Sequence, residues 1–273
     1  LTHTPAAAGS PVPPPYPFQP QRLPTETVRA GNYSVRWALN DADLDAVLDL
    51  RFRIFNLELG EGLSESFATR RDRDPFDAWC HHLMVTDTDT GDLIGTYRAH
   101  VKPMADAALG WYSATLFDLS TLPPDVIKRS GETGRACIAA HHRNGRVLYL
   151  LWTGLARYLT HNGCHYMFGC TSLTSQDPEE GLAALEWLEA EGYRHPEWHA
   201  APLPEHACAV DAEYSISTVP EVNIPQLMRI YLHHGCKILG PPAIDRDFKT
   251  IDFLTILDVR QMEDRVRRKL FGG

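Results

Sequence analysis

Positive charge is scarce in this chain: 26 lysines and arginines stand against 35 aspartates and glutamates, a formal net charge of −9 over 273 residues. Nucleic acid is therefore not an expected partner, because phosphate backbones are bound by surfaces rich in Lys and Arg. Long hydrophobic runs are missing too. The most apolar stretch, residues 147–159, carries Arg157 and falls short of the roughly 20 apolar residues that span a bilayer. Residues 2–10 contain no apolar core of a secretory signal, so a cytoplasmic location is expected. The six cysteines (Cys80, Cys137, Cys164, Cys170, Cys208 and Cys236) include no Cys-x-x-Cys. Scattered thiols fit a reducing compartment and argue against a zinc ribbon. There is no Gly-x-Ser-x-Gly elbow, which argues against a serine hydrolase, and no internal repeat. No metal site is expected. His81-His82, His141-His142 and His233-His234 look like ligand pairs, but neighbours on a strand point to opposite faces.

What is present is enough apolar material, 44% of residues, for one large core. Residues 1–30, with Pro11, Pro13, Pro14, Pro15 and Pro17, read as a flexible, extended leader outside the fold. Alternation over residues 33–39 predicts a strand. Asn40 then caps a helix with Leu44, Val47, Leu48, Phe52 and Phe55 at helical spacing. A polar loop, 60–74, leads to strands at 82–86 and 93–101, joined by the turn-rich 87–92 as a hairpin. After a mixed connection, 110–129, come a strand from Glu132 to Ala140, a helix over about 146–161, a strand over 166–171 and a helix over about 178–191 capped by Asp177. Residues 224–234 read as helix, 236–239 and 251–258 as strands, and a basic helix closes the chain over 260–273. This order predicts one α/β domain over residues 31–259.

The segment from Glu132 to Arg146 concentrates the chemistry. Glu132 and Arg135 open an apolar strand, where charges are costly to bury unless paired or used. Arg143, Asn144, Gly145 and Arg146 then lead into the long apolar helix, whose first N–H groups suit an anion such as a phosphate. Together they predict acid–base chemistry beside a phosphate. Glu132 is the candidate general base, since partial desolvation raises a carboxylate's pKa toward a useful value. The alternative is that Glu132 and Arg135 form a structural ion pair with Arg98 or Asp77. Backbone N–H groups of Cys137, Ile138 and Ala139 are candidate donors to a developing oxyanion. His82 and Asp87 satisfy the His-x4-Asp spacing of glycerolipid acyltransferases, but the extended strand between them holds the two apart.

Taken in order, Arg51-x-x-x-Phe55, Asp74-Pro75-Phe76-Asp77, Arg98, Phe117 and Glu132-x-x-Arg135 resemble the acyl-homoserine lactone synthases of the GNAT acyltransferase superfamily. The longer runs 131–135, 151–158, 168–172 and 242–252 are more similar to a sister family, the bacterial ornithine N-acyltransferases. The resemblance spans residues 33–259 and implies a GNAT fold: a central mixed sheet splayed around a β-α-β core with flanking helices. It also implies an enzyme that moves a 3-hydroxyacyl chain from acyl carrier protein to the α-amine of L-ornithine, with no bound cofactor and acyl carrier protein as co-substrate and partner. Direct attack of amine on thioester follows from the same resemblance, so the Cys137 thiol is read as core packing.

Two departures bear on the choice between relatives. Lactone synthases place a tryptophan about six residues beyond the phenylalanine matched by Phe55, and here Glu61 stands there. The glycine-rich loop that holds the pyrophosphate of coenzyme A is reduced here to Arg143-Asn144-Gly145-Arg146, which suits a donor with a single phosphodiester. Lactone synthesis, acylation of another amino acid, and a carrier-binding protein without turnover are the rival readings. Asp74, Asp77 and Arg98 are expected to bind the acceptor or to lock the loop over it. Arg51 and Phe55 share a helix face, with Phe55 as a wall of the acyl tunnel or as core, and Phe117 completes the substrate set. Asp245, Asp247, Asp252 and Glu213 are further acids able to meet a cationic end. Basic docking patches for the acidic carrier are available at Lys128, Arg129, Arg143 and Arg146, or at Arg265, Arg267, Arg268 and Lys269. The terminal helix has an apolar stripe (Met262, Val266, Leu270) that suits packing on the domain, or peripheral contact with an anionic membrane on the inner face.

Overall fold

Strand β2 (Tyr33–Trp37) buries alternate residues, Tyr33, Val35 and Trp37, as its sequence alternation predicts. The computed structural model describes residues 14–209 and 223–271. Around β2, in chain order, lie β1 (Val28–Ala30), α1 (Asp41–Arg51), α2 (Ser66–Thr69), β3 (His81–Asp87), β4 (Leu93–Val101), α3 (Lys102–Asp106), α4 (Pro124–Lys128), β5 (Ser130–Ile138) and α5 (Gly145–His161). They are followed by β6 (Tyr166–Leu173), α6 (Pro178–Ala190), α7 (Gln226–His233), β7 (Lys237–Ile238), β8 (Ala243–Asp245), β9 (Thr250–Asp258) and α8 (Asp264–Phe271). The nine strands form one sheet in the order β1-β2-β3-β4-β5-β6-β9-β7, with β8 also paired to β9. Among the strands of the described residues, only β5 and β6 pair in parallel. A parallel pair needs a crossover, and α5 supplies it.

Helix α5 starts where Asn144 accepts hydrogen bonds from the N–H groups of Arg146 and Val147. Its Val147, Leu150, Leu151, Leu155, Tyr158 and Leu159 share one buried cluster with Leu83, Val85, Tyr97, Ala99 and Val101 of the sheet. At about 1.5–3 kcal/mol per large apolar side chain, this face outweighs any surface ion pair of the chain. On the other face, Leu44, Val47 and Leu48 of α1 pack on Ala38 and Met84. The helix predicted through Phe55 is α-helical to Arg51 and then winds as a wider π-helical turn, Phe52–Glu58. Turns of this kind are frequent at functional sites. Here it brings Ile54 and Phe55 onto Cys137 of β5.

The parallel ladder is short. Ser130 faces Tyr166, Gly131 faces Met167 and Glu132 faces Phe168; beyond these rungs β5 and β6 diverge into a V. Two local features set the point of divergence. Gly169 lies against the Thr133 carbonyl, so that a Cβ at this glycine would stand 2.0 Å from the oxygen. On β5, Arg98 pairs with Gly134 and Thr96 with Cys137, leaving Arg135 and Ala136 together opposite Tyr97 as a β-bulge. Arg135 adopts φ 51° there. A bulge re-aims side chains and sharpens local twist.

The leader departs from expectation. Residues 1–13 lie outside the described residues, but from Pro14 the chain packs. Tyr16 and Leu23 are buried, His81 Nε2 contacts the Phe18 carbonyl at 2.6 Å, and β1 pairs with β2. Aromatic and aliphatic residues spaced between the prolines carry burial energy that proline content masks. The closing helix begins at Asp264 instead of residue 260, and Glu132 is the third residue of β5 instead of its first. Strands β1 and β8 are short elements that the sequence does not announce.

Candidate active site

The bulge delivers Arg135 into the mouth of the V. Its guanidinium carbon lies 4.1 Å from the centroid of the Phe55 ring and 4.1 Å from that of Phe248, a stacked cation held between two aromatic faces. It also pairs with Asp72. Asp72 in turn receives Arg51, whose Nη2 is 2.6 Å from Oδ1. Arg51 Nη1 reaches Asp77 Oδ1 at 2.6 Å, and Arg98 Nη1 reaches Asp74 Oδ2 at 2.5 Å and Asp77 Oδ1 at 3.0 Å. The backbone is drawn in as well. Asp74 N donates to Asp77 Oδ2 at 2.8 Å and Phe76 N to Asp74 Oδ1 at 2.8 Å.

Three arginines and three aspartates thus neutralise one another in the interior, where Arg51 and Asp77 have no solvent exposure. Burial opposes ionisation of Asp77, but Arg51 and Arg98 outweigh it and hold its carboxyl well below the usual range. Of the two expectations for Asp74, Asp77 and Arg98, the geometry matches the lock on the loop that follows residue 60. Their charges are already spent. Asp72, at the centre of the network, escapes sequence reading because it sits in the alternating run Arg71-Asp72-Arg73-Asp74 that looks solvated. Phe117 is also displaced from its expected role. It is buried among Trp111, Leu116, Leu122 and Phe168 as core.

Glu132 is not where a free base would be. Its Oε2 accepts from Tyr112 N at 2.8 Å and its Oε1 from Ser113 N at 2.7 Å. The side chain therefore caps the short helical turn Tyr112–Thr115. His100 Nε2 stands 3.2 Å from Oε2 without an aligned hydrogen bond, and burial depresses that imidazole to about 3, which keeps it neutral. Burial also raises the Glu132 carboxyl against the pull of the Ser113 and Tyr112 hydrogen bonds. Neither Arg98 nor Asp77 pairs with it among the described residues, so the expected structural ion pair is absent there too. The reason is topological: Tyr112 and Ser113 come from the mixed connection, whose fold the sequence leaves open.

Beside the V lies a cavity of about 380 Å³. Ile54, Phe55 and Leu59 wall one side, Ala136, Cys137 and Ile138 of β5 another, and Leu148, Leu151, Leu227 and Ile230 the rest. Tyr97 and Tyr231, whose hydroxyls meet at 2.7 Å, bring a neutral polar pair to this lining. Burial pushes the Cys137 thiol up to about 12, so it stays protonated, in keeping with a packing role. Of the expected oxyanion donors, Ala139 N is taken by the Ile94 carbonyl at 2.8 Å. Strand alternation turns the Ile138 N–H the other way, toward the open side.

Arg143, Asn144 and Gly145 also line this cavity, whereas Arg146 does not. The anion seat predicted at the start of α5 is altered. Asn144 Oδ1 fills it by accepting from Arg146 N at 3.0 Å and Val147 N at 3.1 Å. Arg143 is held by Glu58 at 2.6 Å and by the Ile138 carbonyl at 3.0 Å. Arg146 lies over Gly31 in the β1–β2 turn.

A second group of acids faces the V from its other arm. Asp245 and Asp252 are both buried on neighbouring strands β8 and β9. Tyr112 Oη donates to Asp245 Oδ2 at 2.5 Å, and Thr250 Oγ1 donates to Asp252 Oδ1 at 2.9 Å. Asp245 Oδ1 accepts from Asp247 N and Phe248 N, each at 3.0 Å, which ties this pair to the ring that holds Arg135. No cation pairs with either carboxylate among the described residues. Burial, reinforced by Asp245, raises Asp252 from 3.8 to about 6. Of the other acids considered for a cationic end, Asp247 is exposed and Glu213 lies outside the described residues. His82 contacts the Asp77 carbonyl at 3.1 Å and makes no dyad with Asp87.

Comparison with known proteins gives the family. The acetyltransferase (GNAT) domain family matches residues 50–153, the stretch from the end of α1 through the first half of α5. An L-ornithine N(alpha)-acyltransferase of Agrobacterium fabrum is 32% identical over 247 residues, covering 87% of this chain and 84% of its own. Another of Brucella abortus is 32% identical over 249 residues, with 87% and 88% covered. Among solved structures, the acyl-homoserine lactone synthase LasI covers 89% of this chain and 97% of its own at 12% identity and a TM-score of 0.48, a likeness too distant to carry a shared mechanism. The protein has the GNAT fold, is an N-acyltransferase, and belongs to the family of L-ornithine N(alpha)-acyltransferases.

Proposed function

We propose that the protein transfers a 3-hydroxyacyl chain from acyl carrier protein to the α-amine of L-ornithine, giving a lyso-ornithine lipid. The observation that carries this reading is the V between β5 and β6, which opens an apolar cavity of about 380 Å³ along the free edge of β5. The thioester carbonyl lies against the Ile138 N–H, and the amine enters from the face that carries Arg135, Tyr112 and the Asp245–Asp252 pair. A diamine supplies the positive charge that Asp245 and Asp252 lack among the described residues.

The chemistry balances as follows. The α-ammonium gives up one proton, the amine nitrogen attacks the thioester carbon, and the tetrahedral oxyanion collapses with cleavage of the C–S bond. The nitrogen loses a second proton and the leaving thiolate takes one. Asp252, with its raised pKa, suits the role of proton acceptor better than Glu132, whose two oxygens are occupied. Glu132 serves as a positioning residue that fixes Tyr112, and Tyr112 fixes Asp245. No helix among the described residues is long and apolar enough to cross a membrane; a lipid product places the reaction at the inner face of the cytoplasmic membrane.

The test is to incubate the protein with 3-hydroxyacyl carrier protein and, separately, ornithine, lysine, glutamine and glycine, then weigh the lipid products. An N-acylornithine mass is expected. Product formed only when S-adenosylmethionine is consumed would replace this reading with lactone synthesis, and turnover with another amino acid but not with ornithine would replace the acceptor.

A further inference from the structure

The cavity along β5 does not end at α5. A second cavity, also about 380 Å³, adjoins it and shares Gly145, Leu148 and Ile230 with it. It lies between α5, α7 and α8, with Tyr149 and Trp152 on one wall and Arg265, Val266 and Lys269 on the other. The two spaces run from the reacting edge of β5, past the start of α5, to the basic helix that ends the described chain.

Among the described residues, Lys128 with Arg129, Arg143, Arg146, the start of α5 and α8 compete to receive the donor. Lys128 and Arg129 sit just before β5, the far end of that strand from the cavity, roughly 25–30 Å from Ile138 at strand rise. Arg143 is neutralised by Glu58, and Arg146 turns away over Gly31. The start of α5 is already capped by Asn144. That leaves α8. Arg265 and Lys269 line the second cavity, Arg265 and Arg268 have no carboxylate partner among the described residues, and Lys269 Nζ lies 4.6 Å from the Tyr149 ring. Glu263 and His234 also line this space; burial and His233 lower the imidazole and so favour its neutral form, and Arg265 and Lys269 outnumber the one carboxylate, Glu263.

We infer that the second cavity seats the phosphodiester end of the donor's 4'-phosphopantetheine arm, and that α8 is the docking surface for the acidic carrier protein. The inference rests on the proposed carrier-borne donor. It assigns the occupant by continuity with the acyl cavity and by charge: the chain carries −9 overall, and this is the basic surface that opens onto the path to β5. Charges at the rim of an interface act mainly on encounter and are screened by salt.

Binding of an acidic acyl carrier protein in its phosphopantetheinylated form is measured by calorimetry without acceptor, so the docking and the ornithine reaction fail separately. The paired reversal Arg265→Glu with Lys269→Glu, on exposed positions of α8, is expected to weaken carrier binding about tenfold or more. Turnover of an acyl-N-acetylcysteamine thioester, which has neither phosphate nor protein, stays at the wild-type rate. A milder pair, Arg265→Ala with Lys269→Ala, gives a smaller weakening with the melting temperature unchanged. Equal carrier affinity in wild type and reversal overturns the inference, as does loss of binding on Arg143→Glu instead. Loss of binding to vesicles containing anionic lipid, with carrier affinity intact, overturns it in favour of a membrane surface. Carrier binding that follows the α8 charges while no ornithine is acylated supports the docking and refutes the acceptor.

Discussion

Two buried acidic regions flank the V, and they are built on opposite principles. On one side Asp72, Asp74 and Asp77 are matched by Arg51, Arg98 and Arg135, with hydrogen bonds that also bind the loop backbone. On the other, Asp245 and Asp252 hold hydroxyls and backbone N–H groups but no cation among the described residues. The first region shows how charged residues in a functional motif become structure once their partners are in place. Where charge is left unmatched in a low-dielectric interior, a ligand of the opposite sign is the compensating term.

The largest effect that sharpens this contrast is expected at Asp77. Asp77→Ala leaves Arg51 and Arg98 buried with half their partners gone, and denaturant unfolding is expected to show a loss of about 3–5 kcal/mol. A loss below 1 kcal/mol would erase the distinction between the two regions. Asp252 behaves in the opposite sense. Its carboxyl titrates near 6 folded against the ordinary 3.8, so between about pH 4 and 6 the folded state holds more protons than the unfolded one. Stability of the ligand-free protein is then expected to fall with rising pH across that window, by up to about 3 kcal/mol. Asp252→Asn removes that slope, keeps or raises the melting temperature at neutral pH, and lowers kcat for ornithine acylation while raising KM at least tenfold. A variant that instead melts earlier, with KM unchanged, would move Asp252 into the structural group.

Glu132→Gln stands between them. The amide keeps one acceptor for the Tyr112 and Ser113 N–H groups and sets an NH2 against the other, costing about 1–3 kcal/mol. Activity is expected to fall together with thermal stability, while the pH profile of kcat/KM keeps its acid limb. Loss of that limb in a variant of unchanged stability would return Glu132 to the role of base. The smallest effect is expected at the neutral pair: Tyr97→Phe removes one hydroxyl from the bond to Tyr231 and costs about 0.5–1.5 kcal/mol by thermal melting. A cost as large as that at Asp77 would mean that charge is not what separates the two regions.

Much of the architecture is legible in the sequence because local signals repeat the global answer. Helix α5 has both an Asn144 cap and an apolar stripe, and β3, β4, β6 and β9 are apolar runs bounded by turn chemistry. The motif residues Arg51, Phe55, Asp74, Asp77, Arg98 and Arg135 do converge around one spot. What spacing does not reveal is which charge meets which. Glu132 is assigned to the reaction by residue type, yet its partners are two N–H groups about twenty positions earlier in an irregular segment, a pairing that only tertiary closure defines. The folded part of the leader is hidden for a similar reason. Its few large side chains become informative only when the floor they land on, including His81 and Trp79, is known.

Gly169 meets the Thr133 carbonyl at a point where no side chain fits. One missing carbon therefore marks the last tooth of a zipper. Were it filled, the two arms would part a rung sooner, next to Glu132 and the turn it secures. The gape of the cleft thus depends on this position staying bare, since any side chain there would push against the backbone of the opposite arm.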